Sequence, residues 1–135
     1  MVTPEILSKY RGKSIEYLTE KAQESVNRFV RKRDSVNGYF ICISCEKLKP
    51  IRHCQAGHFY SRGNYNSVRF NLDNINAECD YCNGFNHDHL IGYQKNLIKK
   101  IGEKRFNDLE KLAQLKNFKY SREFLINIIE KYKNI

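Results

Sequence analysis

Residues 42–45 read Cys-Ile-Ser-Cys and residues 79–82 read Cys-Asp-Tyr-Cys, and the 33 residues between them include Gln55-Ala56-Gly57-His58 and Phe70-Asn71-Leu72-Asp73-Asn74-Ile75. Two thiolates separated by two residues can reach one tetrahedral Zn²⁺, and two such pairs supply a complete set of four sulfurs. The spacing predicts a structural zinc site at Cys42, Cys45, Cys79 and Cys82, closed to water and substrate, that holds the fold and performs no chemistry. Cys54 is left over, and reads as a small buried thiol. Catalysis, if the chain has any, falls to the residues the clip encloses.

Outward from the clip the pattern is helical. Thr3-Pro4-Glu5 is a helix start, since Thr caps a free N–H and Pro suits the first turn, and that helix is short, ending near Gly12. From Ser14, the residues Ile15, Leu18, Ala22, Val26, Phe29 and Val30 recur at helical spacing, with a basic opposite side. The pattern breaks at Asn37-Gly38, and Tyr39–Ser44 is rich in aromatic and β-branched residues, which predicts a strand. Ile51–Phe59 and Val68–Phe70 are the next strand candidates, around a loop at residues 61–66. After Cys79 helices return: one carrying Leu90, Tyr93, Leu97, Ile98 and Ile101 up to Gly102, one carrying Phe106, Leu109, Leu112 and Ala113, and a last one opened by Ser121.

The expected fold class is α+β: a small zinc-clipped ββα-like core, residues 37–102, between basic N-terminal helices, 1–36, and C-terminal helices, 103–135, all in one compact unit. The apolar faces of the terminal helices are candidates for a homodimer interface. Twenty-four Lys and Arg against 15 Asp and Glu give a net charge of +9. That excess points to a polyanion such as nucleic acid. The start of the chain has no apolar segment of secretory length, and the longest apolar run, Tyr39–Ile43, has five residues, so the expected location is cytoplasmic with no membrane partner. Free thiols in a reducing compartment suit metal binding better than a disulfide framework.

The enclosed residues resemble the HNH, or ββα-metal, nucleases. The resemblance implies that His58 is the general base, Asn74 the central Asn, and Asn83, directly after Cys82, a ligand of the catalytic metal. Ala56-Gly57-His58-Phe59-Tyr60-Ser61-Arg62, Arg69–Ile75, Cys79-x-x-Cys82-Asn83 and Tyr93-x-x-x-Leu97-Ile98-x-x-Ile101-Gly102 are similar in content and order to the NinG or Rap family, lambdoid phage DNA junction-specific endonucleases. The likeness covers roughly residues 28–102 and extends to phage endonuclease VII, where two Cys-x-x-Cys pairs also enclose the base. It implies a phage or prophage protein that cleaves branched recombination intermediates such as Holliday junctions or D-loops. The rival readings are a non-catalytic zinc-knuckle DNA-binding protein and an HNH nicking enzyme acting on ordinary duplex.

The chemistry asks for few groups. A histidine, titrating near neutrality, can take a proton from water, and a hard divalent cation, Mg²⁺ or Mn²⁺, suits oxygen ligands with open positions. His87 lies four residues after Asn83, so the two could share a helix face and one ion. Many HNH nucleases carry Asp or His directly before the base, whereas this chain has Gly57, which offers no ligand. His87, Asp73, Asp88, or water and phosphate oxygens are the replacements left open, with His89 and His53 behind them. Arg62 and Arg69 flank the base among Tyr60 and Tyr65, and Lys95 and Lys99 follow on the next helix, which makes these four the expected phosphate contacts.

Overall fold

The computed structural model describes residues 2–84, 86 and 88–135. Helix α1, Pro4–Lys9, starts where Thr3 Oγ1 accepts from the Ile6 N–H, and α2, Ile15–Arg33, starts where Ser14 Oγ accepts from the Tyr17 N–H. Leu18, Ala22, Val26 and Val30 recur every fourth residue along α2 and are fully buried, the core-facing stripe of an amphipathic helix. Asn37 and Gly38, both with positive φ, close a tight turn between β1, Ser35–Val36, and β2, Tyr39–Ile41. Two residues in that conformation match the twist of the strands they join. β3, Leu48–Pro50, completes a three-stranded antiparallel sheet, and the β2–β3 turn carries Cys42 and Cys45.

The part of the fold that builds the site is a second hairpin. β4, Cys54–His58, pairs antiparallel with β5, Ile75–Cys79, in the register Cys54 with Cys79 and His58 with Ile75. A short helix, α3, Asp80–Gly84, follows β5 directly, so the order is strand, long loop, strand, helix. The expected strand over Ile51–Phe59 begins with a 3₁₀ turn at Ile51–His53 and is extended only over β4. Val68–Phe70 is no strand: Asn66–Val68 is a 3₁₀ turn, and Val68 and Phe70 point into two different cores from within the loop. β5, which the sequence reading passed over, carries Asn76 and Glu78 yet is buried along its whole length.

α2 lies on one face of this hairpin and α4, His89–Ile101, on the other. Ile75 joins the α2 core, while the fully buried Tyr93 of α4 donates its hydroxyl to the Gly57 carbonyl at 2.6 Å and accepts from Asn76 Nδ2 at 3.1 Å. The outer edge of β5 is closed: Asp34 Oδ2 accepts from the Ala77 N–H at 3.0 Å, and the Ala77 carbonyl accepts from the Ile43 N–H at 2.9 Å. α5, Glu103–Ala113, packs beside α4 through Phe106, Leu109 and Ala113.

The last helix, α6, Arg122–Tyr132, brings the two ends of the chain together. Its Leu125, Ile126, Ile128 and Tyr132 share one core with Leu18, Ala22, Val26 and Val30 of α2, and Arg122 donates to the carbonyls of Tyr10 and Lys13. α1, α2 and α6 thus form one helical layer, whereas α5 belongs to the α4 core. α6 supplies the partner that the α2 stripe needs, while Leu7, Ile15, Leu112 and Phe124 of the terminal helices stay exposed. No helix among the described residues is long and apolar enough to cross a membrane.

Candidate functional site

The ligand atoms of Cys42, Cys45, Cys79 and Cys82 all lie within 4.8 Å of one another, with Cys45 Sγ 3.9 Å from Cys79 Sγ. A tetrahedron with Zn–S bonds of about 2.3 Å puts its sulfurs roughly 3.8 Å apart, so four cysteines in this arrangement could hold a structural metal such as zinc. Backbone N–H groups of Cys45 and Cys79 point at Cys42 Sγ and that of Cys82 at Cys79 Sγ, at 3.3–3.5 Å. Cys54 lies outside this cluster, and burial pushes its thiol up to about 11, an inert state.

Beside the clip is a cleft of about 530 Å³, walled by Asn27 and Arg31 of α2, Gln55, Ala56 and His58 of β4, Ser61, Arg62, Asn83 of α3 and His89 at the start of α4. His58 is the last residue of β4, and its Nε2 lies 2.9 Å from the Arg69 carbonyl. A carbonyl can only accept, so Nε2 carries the proton and Nδ1 holds the lone pair. Burial lowers the His58 pKa below its ordinary value, reinforced by the charges of Arg62 and Arg69, and the ring is therefore neutral at neutral pH. The arrangement can take a proton from a water in the cleft.

Asn74 is fully buried and does not touch the cleft. Its Oδ1 accepts from the Tyr60 N–H at 2.8 Å, and its Nδ2 donates to the carbonyls of Tyr60 and Val68 at 3.0 and 3.1 Å. It clamps the two ends of the loop that delivers the Arg69 carbonyl to His58, which makes it a positioning residue. Asn83 donates Nδ2 to Gln55 Oε1 at 2.5 Å and so keeps Oδ1 as an oxygen donor in the cleft.

The four expected phosphate contacts separate. Arg62 is half exposed on the cleft rim, with Glu20 3.6 Å away. Arg69 is turned inward, its side chain 13% exposed, donating to Gln23 Oε1 at 2.9 Å and Glu20 Oε1 at 3.2 Å, because the loop it anchors needs a tie to α2. Lys95 and Lys99 are exposed on α4 and line no part of the cleft. Arg31, which the sequence did not single out, does.

The replacements weighed for the side chain missing at Gly57 also separate. His87 lies outside the described residues. Asp73 is engaged by Arg105, Asp88 does not line the cleft, and His53 pairs with Asp80 at 2.9 Å on the outer side. The carboxylate that does reach Gly57 is Glu78, fully buried on β5. A Cβ built on Gly57 would stand 2.2 Å from Glu78 Oε1. Glu78 Oε2 accepts from Ser44 Oγ and from His89 Nδ1, the latter at 2.5 Å, while Oε1 has no hydrogen-bond partner among the described residues. The available signal was a glycine inside a strand, which marks a close approach by another group. Identifying that group required the β4–β5 register, in which Gln55 pairs with Glu78 and Gly57 with Asn76, so that all four residues share one face.

A profile of the family described as "Bacteriophage Lambda NinG protein" matches residues 7–135. Among individual proteins the chain is similar to "Protein ninG" of Escherichia phage lambda, 34% identical over 94 residues, which is 70% of this chain and 44% of that protein. The same-named proteins of Escherichia phage 933W and Salmonella phage P22 are each 33% identical over 94 residues, again 70% of this chain and 45% and 44% of theirs. The aligned stretch thus spans less than half of these relatives. No solved structure matches. With all but its first six residues matched by the family profile, the chain belongs to the NinG family of lambdoid phage proteins.

Proposed function

We propose that this protein is a metal-dependent DNA endonuclease of HNH type that cleaves branched recombination intermediates such as Holliday junctions and D-loops. The observation that carries the reading is the tautomer of His58: a half-buried, neutral imidazole whose Nε2–H is held by a backbone carbonyl has Nδ1 as its basic atom. Nδ1 takes a proton from water, the resulting hydroxide attacks phosphorus, and the P–O bond on the opposite side breaks as its oxygen departs. A divalent cation, Mg²⁺ or Mn²⁺, supplies charge neutralisation at the pentacovalent phosphate and the leaving oxygen when bound. Asn83 Oδ1 is a hard oxygen of the type such an ion prefers, and it faces the cleft beside His89, so the donors there fit a cation of this class.

The remaining residues bind and orient. Asn27, Arg31, Ser61 and Arg62 present donors along the cleft rim for phosphate oxygens, in a chain of net charge +9. Asn74 keeps the 59–74 loop closed so that the base does not swing. The branched substrate rests on the resemblance to junction-specific phage enzymes and not on the cleft itself.

The test compares a four-way junction with a linear duplex of the same sequence in Mg²⁺, using the parent and His58→Ala. The parent is expected to cut the junction in preference, and His58→Ala to bind both DNAs normally while cutting roughly a hundredfold slower or worse. Equal cutting of both DNAs leaves a duplex nicking enzyme, and binding without cutting by the parent leaves a zinc-knuckle DNA-binding protein.

A further inference from the structure

We propose that Glu78 and His89 form a carboxylate–histidine pair at the divalent cation of the cleft, His89 ligating through Nε2 and Glu78 positioning it across the hairpin from β5. This rests on the endonuclease reading for the purpose of the cation, but not for its existence. His89 lines the cleft, and its Nδ1 is taken up by Glu78 Oε2, which leaves Nε2 as the nitrogen free to bind a ligand there. Histidines that ligate metals characteristically donate their other ring N–H to a carboxylate, which fixes the tautomer and raises the basicity of the ligating nitrogen.

Two further observations point the same way. A fully buried carboxylate is costly unless compensated, and among the described residues Glu78 receives two hydrogen bonds, both at Oε2, with Oε1 left unpartnered. The placement of the pair is also built in. Gly92 on α4 sits so close to the first cysteine knuckle that a Cβ there would lie 2.2 Å from the Ser44 carbonyl, and this approach carries the start of α4, with His89, onto Glu78. Asn83, one residue past Cys82, faces the same cleft with a free amide oxygen. The proposed ligands are therefore His89 Nε2 and Asn83 Oδ1, with Glu78 as the positioning residue behind His89.

Mn²⁺ is the probe, titrated into the zinc-loaded full chain and followed by the electron paramagnetic resonance signal of the free ion. The parent is expected to bind one Mn²⁺. Glu78→Gln, which keeps the volume and an acceptor but removes the charge, should weaken binding 10- to 100-fold, and His89→Ala at least as much. His58→Ala should leave it unchanged. In the parent itself, substoichiometric Mn²⁺ should broaden the ring resonances of His89, a measurement that needs no variant to fold. A parent that binds no Mn²⁺, variants that bind it like the parent, or an unbroadened His89 would each overturn the proposal and leave Glu78–His89 as a structural ion pair. If Mn²⁺ binds as stated but no DNA is cut, the cation site stands and the nuclease reading falls.

Discussion

Gly57→Ala is the substitution for which the structure gives the firmest number. The added Cβ would lie 2.2 Å from Glu78 Oε1, 3.0 Å from Glu78 Cβ and 3.2 Å from Glu78 Cδ, so the carboxylate must move. Moving it breaks the hydrogen bonds from Ser44 and His89, each to a charged acceptor and worth about 1.5–3 kcal/mol, although part of this is regained if water reaches the displaced group. Forcing a methyl into a filled site adds about 1–3 kcal/mol. A net loss of about 3 kcal/mol is expected, equivalent to a drop in Tm on the order of 10 °C for a chain of this size. Thermal unfolding of the zinc-loaded protein, followed by circular dichroism, measures it. The double variant Gly57→Ala with Glu78→Ala isolates the contact: with the carboxylate gone, the methyl should cost less than about 1 kcal/mol more than Glu78→Ala alone. A Gly57→Ala protein melting within a degree or two of the parent would refute the close approach, and with it the claim that Glu78 fills the space before the base.

Cleavage should have an acid limb whose midpoint lies below 6.5, the ordinary histidine value, because burial lowers the His58 pKa and only the neutral ring is a base; activity rises as pH climbs through that midpoint and levels off by neutrality. Steady-state kcat/KM against pH at fixed Mg²⁺ checks it. Arg62→Ala should leave stability unchanged and reduce the slope of log affinity against log salt by about 1, whereas Arg69→Ala should destabilise by about 1–3 kcal/mol, since its ties to Gln23 and Glu20 are internal. Elemental analysis should find one zinc per chain, and Cys79→Ser or stripping with a strong chelator should abolish cleavage and lower Tm by about 10 °C or more, since a structural zinc site supplies folding free energy outright.

Much of this molecule is legible in its sequence because the relevant signals are local. The cysteine pairs announce themselves by spacing, and the helices by caps at Thr3, Ser14 and Ser121 and by stripes such as Leu18, Ala22, Val26 and Val30. β5 was not legible, because Asn76 and Glu78 read as surface residues until their tertiary partners are known: Arg33, Tyr93 and Lys100 for Asn76, Ser44 and His89 for Glu78. Val68–Phe70 misled in the opposite sense, since its β-forming side chains serve to plug the loop into two cores. Arg69 shows the same limit at the site. Sequence places a cation near His58, but only the fold shows that the guanidinium faces α2 and that the group meeting the imidazole is the Arg69 carbonyl.

The two walls of the cleft are held by different parts of the protein. His58 is set from the helical side: α2 fixes Arg69 through Gln23 and Glu20, and Arg69 fixes the imidazole through its carbonyl. Asn83, Glu78 and His89 are set from the cysteine side, the first by following Cys82, the second by Ser44 between Cys42 and Cys45, the third by the approach of Gly92 to the Ser44 carbonyl. The cluster of four sulfurs thus governs one half of the candidate site. The halves meet at Tyr93, whose hydroxyl donates to the Gly57 carbonyl, one residue before His58, and accepts from Asn76, two residues before Glu78. The hairpin register is what converts two separate anchorages into one geometry, because a slip of one residue would turn Glu78 to the α2 face and leave His58 without its carbonyl.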